Sequence, residues 1–140
     1  MLTRIFSQPK LDNFIPYGKQ NIDRNDIDEV VKVLGSDFLT QGPLVGKFED
    51  QICKKLSSKY AIAVNSATSA LHIACLALGI NEADTVWTSP TSFVASANCA
   101  IYCGANVDFV DIDLKTGLIS IEKLAKKLEE AAQLDKLPSL

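Results

Sequence analysis

The apolar positions of this chain change their period along its length. Early on they recur at helical spacing: Ile27, Val30, Val31 and Leu34 form one stripe that stops at Gly35, and Val45, Phe48, Ile52 and Leu56 form a second. Between them, Leu39-Thr40-Gln41-Gly42-Pro43 has turn chemistry and two polar side chains, which predicts a surface loop able to carry function. From Tyr60 onward, three short apolar runs each predict a buried strand: Tyr60-Ala61-Ile62-Ala63-Val64, Thr85-Val86-Trp87 and Val107-Asp108-Phe109-Val110. Helical stripes separate them, Leu71, Ala74, Cys75 and Leu78 stopping at Gly79, then Val94, Ala97, Asn98 and Ile101 stopping at Gly104. A last helix follows Ser120, with Ile121, Leu124, Leu128 and Ala132 on its apolar face and Lys123, Lys126, Lys127, Glu129 and Glu130 towards water. Strand, helix and strand repeat at the lengths βαβ units need, so the expected class is α/β with a mostly parallel sheet.

Charge and composition narrow the function. The 140 residues hold 14 Lys and Arg against 17 Asp and Glu, a formal charge of −3. No basic surplus exists to displace counterions from a phosphate backbone, which excludes a basic nucleic-acid module. With 47% hydrophobic and 22% charged residues the chain lies far from the composition of disordered segments. Its apolar stretch Ile73–Leu78 is far short of the roughly 18 to 20 residues that cross a membrane, and residues 1–10 carry no apolar block of signal-peptide length. The expectation is a cytoplasmic protein whose four cysteines (Cys53, Cys75, Cys99 and Cys103) stay as thiols and pack as small core residues.

Two strand-to-helix turns concentrate the candidate chemistry. Asn65-Ser66-Ala67-Thr68-Ser69-Ala70 runs from a strand directly into a helix, whose first N–H groups and positive dipole end stabilise an anion without any lysine. Ser66, Thr68 and Ser69 add hydroxyls, and Ala67 and Ala70 keep the rim low; the plainer alternative is an ordinary N-cap. Thr88-Ser89-Pro90-Thr91-Ser92-Phe93 ends the second strand, where ligands bind in open α/β sheets, so Phe93 either faces a planar ring or simply packs. His72 has no carboxylate or cysteine at a matched spacing and reads as a packing or surface histidine. Cys99 and Cys103, four residues apart, lack the further ligands of a zinc site, so no metal is expected. Asp111 and Asp113 read as turn caps rather than an acid-base pair.

Taken in order, Asn65–His72, Thr88–Asn98, Gly104-Ala105 and Val110-Asp111-Ile112-Asp113, with Leu39–Pro43 and Phe48-Glu49 before them, resemble the N-terminal part of the DegT/DnrJ/EryC1/StrS family. These are pyridoxal-phosphate enzymes, most of them sugar-nucleotide aminotransferases. The resemblance runs from about Ile15 on. It implies an incomplete large domain of fold-type I transferases, a three-layer α/β/α arrangement, with residues 1–22 as an N-terminal arm and residues 23–140 as the first part of that domain. It implies pyridoxal 5'-phosphate as cofactor, with Ala67, Thr68 and Ser69 at its phosphate, Phe93 stacked on its ring, and Thr40 and Gln41 on the substrate side. It implies ping-pong amino transfer from glutamate to a nucleotide sugar by a homodimer. Within the family, the two longest stretches are most similar to enzymes that aminate C4 of a UDP-linked 4-keto-6-deoxy-N-acetyl sugar on the way to pseudaminic acid.

The departure from that pattern is large. The carboxylate that pairs with the pyridine nitrogen, the Ser-Phe-His-x-x-Lys stretch with the Schiff-base lysine, and the C-terminal domain have no counterpart here. Lys115, Lys123, Lys126, Lys127 and Lys136 lack that motif, so the 140 residues alone are expected to catalyse no amino transfer. In the family, moreover, later strands lie between the first strand and the other two. A sugar dehydratase of the same superfamily, or a non-catalytic phosphate-binding α/β module, stays open as an alternative.

Overall fold

The computed structural model describes residues 18–140, so most of the arm assigned to residues 1–22 lies outside the described residues. They fall into two units, one ending at Ser58 and the other spanning Lys59–Leu140.

In the first unit, local signals set both helices. Helix α1 (Arg24–Leu34) starts at Asp23, whose carboxylate accepts the N–H groups of Asn25 and Asp26 while Asp26 accepts that of Asp23, a reciprocal capping box. It ends at Gly35, as the sequence predicts. Helix α2 (Pro43–Leu56) opens on a proline, whose missing N–H costs nothing at a first helical position, and closes on Ser57 in the left-handed region. Neither helix buries a residue, and Val31 stays 58% exposed.

The second unit has a core. Helix α3 (Ala67–Ala77) leads to β1 (Thr85–Thr88), helix α4 (Ala95–Tyr102) crosses to β2 (Asn106–Phe109), and helix α5 (Ile121–Gln133) follows. β1 and β2 pair in parallel, with Thr85 opposite Asn106 and Thr88 opposite Phe109, so the expected βαβ unit is present. Cys75, Ile80, Val86, Cys99, Ala100 and Ala105 form the buried cluster between α3, α4 and the sheet, and Val110 is 1% exposed. Small residues dominate it, which lets α3 and α4 approach closely. Gly104, at φ +82°, turns the chain out of α4 where a side chain would be strained. Along the other edge of β1, Ser139 N donates to Thr85 O and Trp87 N to Leu140 O, both at 2.9 Å, covering backbone groups otherwise open to another strand.

Three expectations are corrected. Tyr60–Val64 is not a strand: it has no ladder partner among the described residues, and apolar side chains cannot make a strand without a neighbour to bond. On α5, Ala131 rather than Ala132 is buried, and Ile121 is exposed. Lys127, assigned to water, is 25% exposed in its side chain; it ion-pairs with Asp108 at 2.6 Å, donates to Phe109 O at 2.7 Å and lies 4.6 Å from the Trp87 ring centre. Its long apolar stem makes that burial possible.

Candidate functional site

The turn before α3 builds the first half of the site. Ser66 is the N-cap: its Oγ accepts the Ser69 N–H at 3.1 Å, and its carbonyl accepts the Ala70 N–H. By position, the amides of Ala67 and Thr68 have no acceptor within the helix and point outward with the positive end of its dipole. Ser69 Oγ donates to Asn65 Oδ1 at 2.7 Å and lies 3.1 Å from Ser66 Oγ. A hydroxyl has one proton, so Ser66 is the donor in that last pair. Thr68 is half-buried.

The segment between β1 and α4 supplies the other half. Ala67, Thr68, Leu71, Ser92, Phe93, Ala95 and Ser96 line one cavity of about 390 Å³. It therefore unites Ala67, Thr68 and Phe93, three of the residues singled out from sequence, and leaves Ser69 off its wall. Phe93 is 75% exposed and takes no part in the buried cluster of the second unit. Leu71 and Ser96 were missed as wall residues, although Leu71 stands three places after Thr68 on the same face of α3 and Ser96, in the first turn of α4, follows Phe93 by three. Asn65 was missed as the holder of Ser69.

Thr40 and Gln41 belong to the first unit. Gln41, at φ +52°, lines a cavity of about 360 Å³ in the loop between α1 and α2, whose wall does not include Thr40.

The other candidates take structural roles. His72 is half-buried, edge-on to Tyr102 with ring centres 5.4 Å apart. Cys75 and Cys99 are buried, and burial first, then the Cys99 thiol, pushes the Cys75 thiol up to about 11. That thiol is no nucleophile near neutral pH. Cys103 is half-buried and packs against the core cluster, whereas Cys53 is half-buried on α2, outside it, so the core expectation holds for three of the four cysteines. Among the described residues no group of three or more His, Cys, Asp or Glu could hold a metal. Asp113 accepts the Lys115 N–H at 2.7 Å as a turn cap, whereas Asp111 also pairs with Lys123 at 2.5 Å. Hydrogen bonding by Lys123 lowers the Asp111 carboxyl below its usual range.

Residues 20–134 match the DegT/DnrJ/EryC1/StrS aminotransferase family, which is 115 of the 140 positions. The chain belongs to that family. It is 46% identical over 114 residues to the UDP-4-amino-4,6-dideoxy-N-acetyl-beta-L-altrosamine transaminase of Campylobacter jejuni, covering 81% of this chain and 30% of that protein. Among solved structures, Spr1654 of Streptococcus pneumoniae, assigned as a sugar aminotransferase and solved in its PLP form, superposes with a TM-score of 0.75 at 28% identity, covering 80% of this chain and 29% of that one. PseC of Helicobacter pylori, an aminotransferase involved in the biosynthesis of pseudoaminic acid, superposes with a TM-score of 0.70 at 37% identity over 79% of this chain and 30% of that one. The chain thus spans about 30% of the length of these relatives, in their N-terminal part, and its fold is a portion of the fold-type I α/β domain.

The site suits a phosphorylated aromatic cofactor. Two outward amides and a hydroxyl at a low-rimmed helix start match a phosphate, and an exposed aromatic face on the same cavity matches a pyridine ring.

Proposed function

We propose that residues 23–140 are the first part of the large domain of a pyridoxal-phosphate-dependent sugar-nucleotide aminotransferase, and that they hold the cofactor's phosphate and one face of its ring. The observation that carries this reading is the single cavity shared by Ala67, Thr68 and Phe93. The N–H groups of Ala67 and Thr68 and the Thr68 hydroxyl take the phosphate, and Phe93 stacks on the ring. The Ser69 hydroxyl joins them by turning from Asn65 Oδ1 to the anion. Bound pyridoxal phosphate supplies an electron sink and an amino-group carrier. This chain's own part is to bind and orient it, with Phe93 and Leu71 keeping water from one side.

For the full-length protein the proposed reaction moves an amino group from glutamate to C4 of a UDP-linked 4-keto-6-deoxy-N-acetyl sugar, in a cytoplasmic homodimer, towards pseudaminic acid. The likeness to the Campylobacter and Helicobacter enzymes supports it. Among the described residues no helix is long and apolar enough to cross a membrane.

The test is titration of the chain with pyridoxal phosphate and with pyridoxal. Pyridoxal phosphate is expected to shift the amide signals of Ala67, Thr68 and Phe93 and to bind at least about tenfold more tightly than pyridoxal, because charge-assisted hydrogen bonds to the phosphate are lost without it. Shifts with inorganic phosphate alone and none with the ring would leave a plain phosphate-binding module and overturn the aminotransferase reading.

A further inference from the structure

The Ser69 hydroxyl, which the cofactor reading sends to the phosphate, is engaged on two sides. Its oxygen stands 3.1 Å from Ser66 Oγ, whose proton it accepts, and its own proton goes to Asn65 Oδ1 at 2.7 Å. Ser66 is fixed in that pairing. Its oxygen caps α3 by accepting the Ser69 N–H at 3.1 Å, which leaves its proton facing the Ser69 oxygen. A phosphate dianion offers acceptors only, so Ser69 can serve it only by giving up its bond to Asn65.

That exchange leaves the Asn65 carbonyl oxygen and the Ser69 oxygen, two acceptors 2.7 Å apart, with no proton between them, and such a pair repels. A carboxamide has a remedy. Half a turn of the amide puts Nδ2 where Oδ1 stood, and Nδ2 donates to the Ser69 oxygen. Ser69 then accepts from Ser66 and from Asn65 and donates to the phosphate, which is the full capacity of one hydroxyl. Two donors on its oxygen also strengthen the bond it donates. Aspartate has nearly the same shape but is acceptor-only when ionised, so it would keep the proton. Asn65 is exposed and precedes the cap of α3, so its amide can turn without disturbing the core.

We infer that Asn65 is a positioning residue for the cofactor phosphate, acting through Ser69: its amide takes the Ser69 proton in the free chain and turns over to return it when the phosphate arrives. The inference rests on the proposed cofactor reading. The isotope-labelled chain and its variants are titrated with pyridoxal phosphate, following the backbone amides and the Asn65 side-chain NH2 signals. Binding is expected to move one Asn65 Nδ2 proton downfield, and Ser69→Ala to abolish that movement while Thr68 still shifts. Asn65→Asp should weaken pyridoxal phosphate about 10- to 100-fold and Asn65→Ala less than about fivefold, because alanine leaves the Ser69 proton free. A purely structural role predicts the reverse order, since aspartate keeps the shape that alanine loses. In the Ser69→Ala background most of the Asn65→Asp loss should vanish, whereas plain repulsion between carboxylate and phosphate would persist there. Should a variant lose the amide signals of Cys75 and Ala100, the Asn65 signals of the unsubstituted chain decide the matter. An unmoved Asn65 amide, an alanine variant as weak as the aspartate one, or an aspartate loss undiminished without the Ser69 hydroxyl would overturn the inference. With Thr68 and Phe93 still shifted, the cofactor reading would survive that failure; with neither shifted in the unsubstituted chain, both fall.

Discussion

The two units stand on different kinds of interaction. α1 has a complete capping box, an acidic first turn and a basic last turn, yet buries nothing. α4 has no side-chain cap at Val94 and a weak division into apolar and polar faces, yet it buries Ala95, Cys99 and Ala100. Caps satisfy the backbone groups that every helix end leaves open, whereas burial depends on what lies opposite. A helix can therefore be plainly written in local sequence and contribute no core, and another can be poorly written and be central to one.

The largest effect should come from exchanging one residue type between these settings. Val86 is 3% exposed, and Val86→Ala removes two methyl groups from a packed site, costing about 3 kcal/mol once the residual cavity is included. Val31→Ala in α1 should change stability by no more than about 0.5 kcal/mol. Hydrogen exchange read residue by residue separates the two units, and equal losses at both positions would erase the contrast.

Next, Thr68→Ala should weaken pyridoxal phosphate by about 1.5–3 kcal/mol, the worth of a hydrogen bond to a charged group. Exchange protection in α3 and α4 should hold, because the Ser66 cap and the Cys75 cluster do not involve the Thr68 hydroxyl. Unchanged affinity would show that the backbone amides act alone. Asp23→Ala, which destroys the capping box, should cost α1 about 1 kcal/mol and leave α3 and α4 untouched. Loss of protection in the second unit would mean that the units fold together.

Much of this was legible in the sequence wherever the determinant was local. Gly35, Gly79 and Gly104 mark where α1, α3 and α4 stop, and Ser66 and Ser120 cap α3 and α5. Thr68 and Phe93 were singled out because each stands at a turn between an apolar run and a helix, and the packing of α3 against α4 carries them to one cavity. What failed depended on partners. Tyr60–Val64 has strand composition but no ladder partner among the described residues, and no periodicity reveals whether one exists. The place of Lys127 was hidden because a lysine within a charged run looks solvated, while Trp87 and Asp108, which hold it, lie some 40 and 20 residues away in sequence.

That lysine supports the smallest expected effect. Lys127 joins α5 to both strands, through Asp108 on β2 and the Trp87 ring on β1. The Asp108 carboxyl is held below its usual range, first by its hydrogen bond from Lys127 and then by the Phe109 N–H. Because the folded value is depressed, the pair's stabilisation is complete above the unfolded reference of about 3.9 and is lost as pH falls from there through the folded value. Asp108 is 54% exposed in its side chain, so water screens the pair and its share stays well under about 1 kcal/mol. The cation–π contact adds about 0.5 kcal/mol. Lys127→Met keeps the apolar stem, so its cost isolates the ammonium: below about 1 kcal/mol at pH 7, shrinking as the solution is acidified below about pH 4 towards the remainder from the Trp87 ring and the Phe109 O hydrogen bond. Denaturation of both chains at pH 7 and pH 3, followed by Trp87 fluorescence, measures it. A difference that does not change with pH would assign the stabilisation to the ring contact and the Phe109 O hydrogen bond, and leave Asp108 with no part in holding α5 to the sheet.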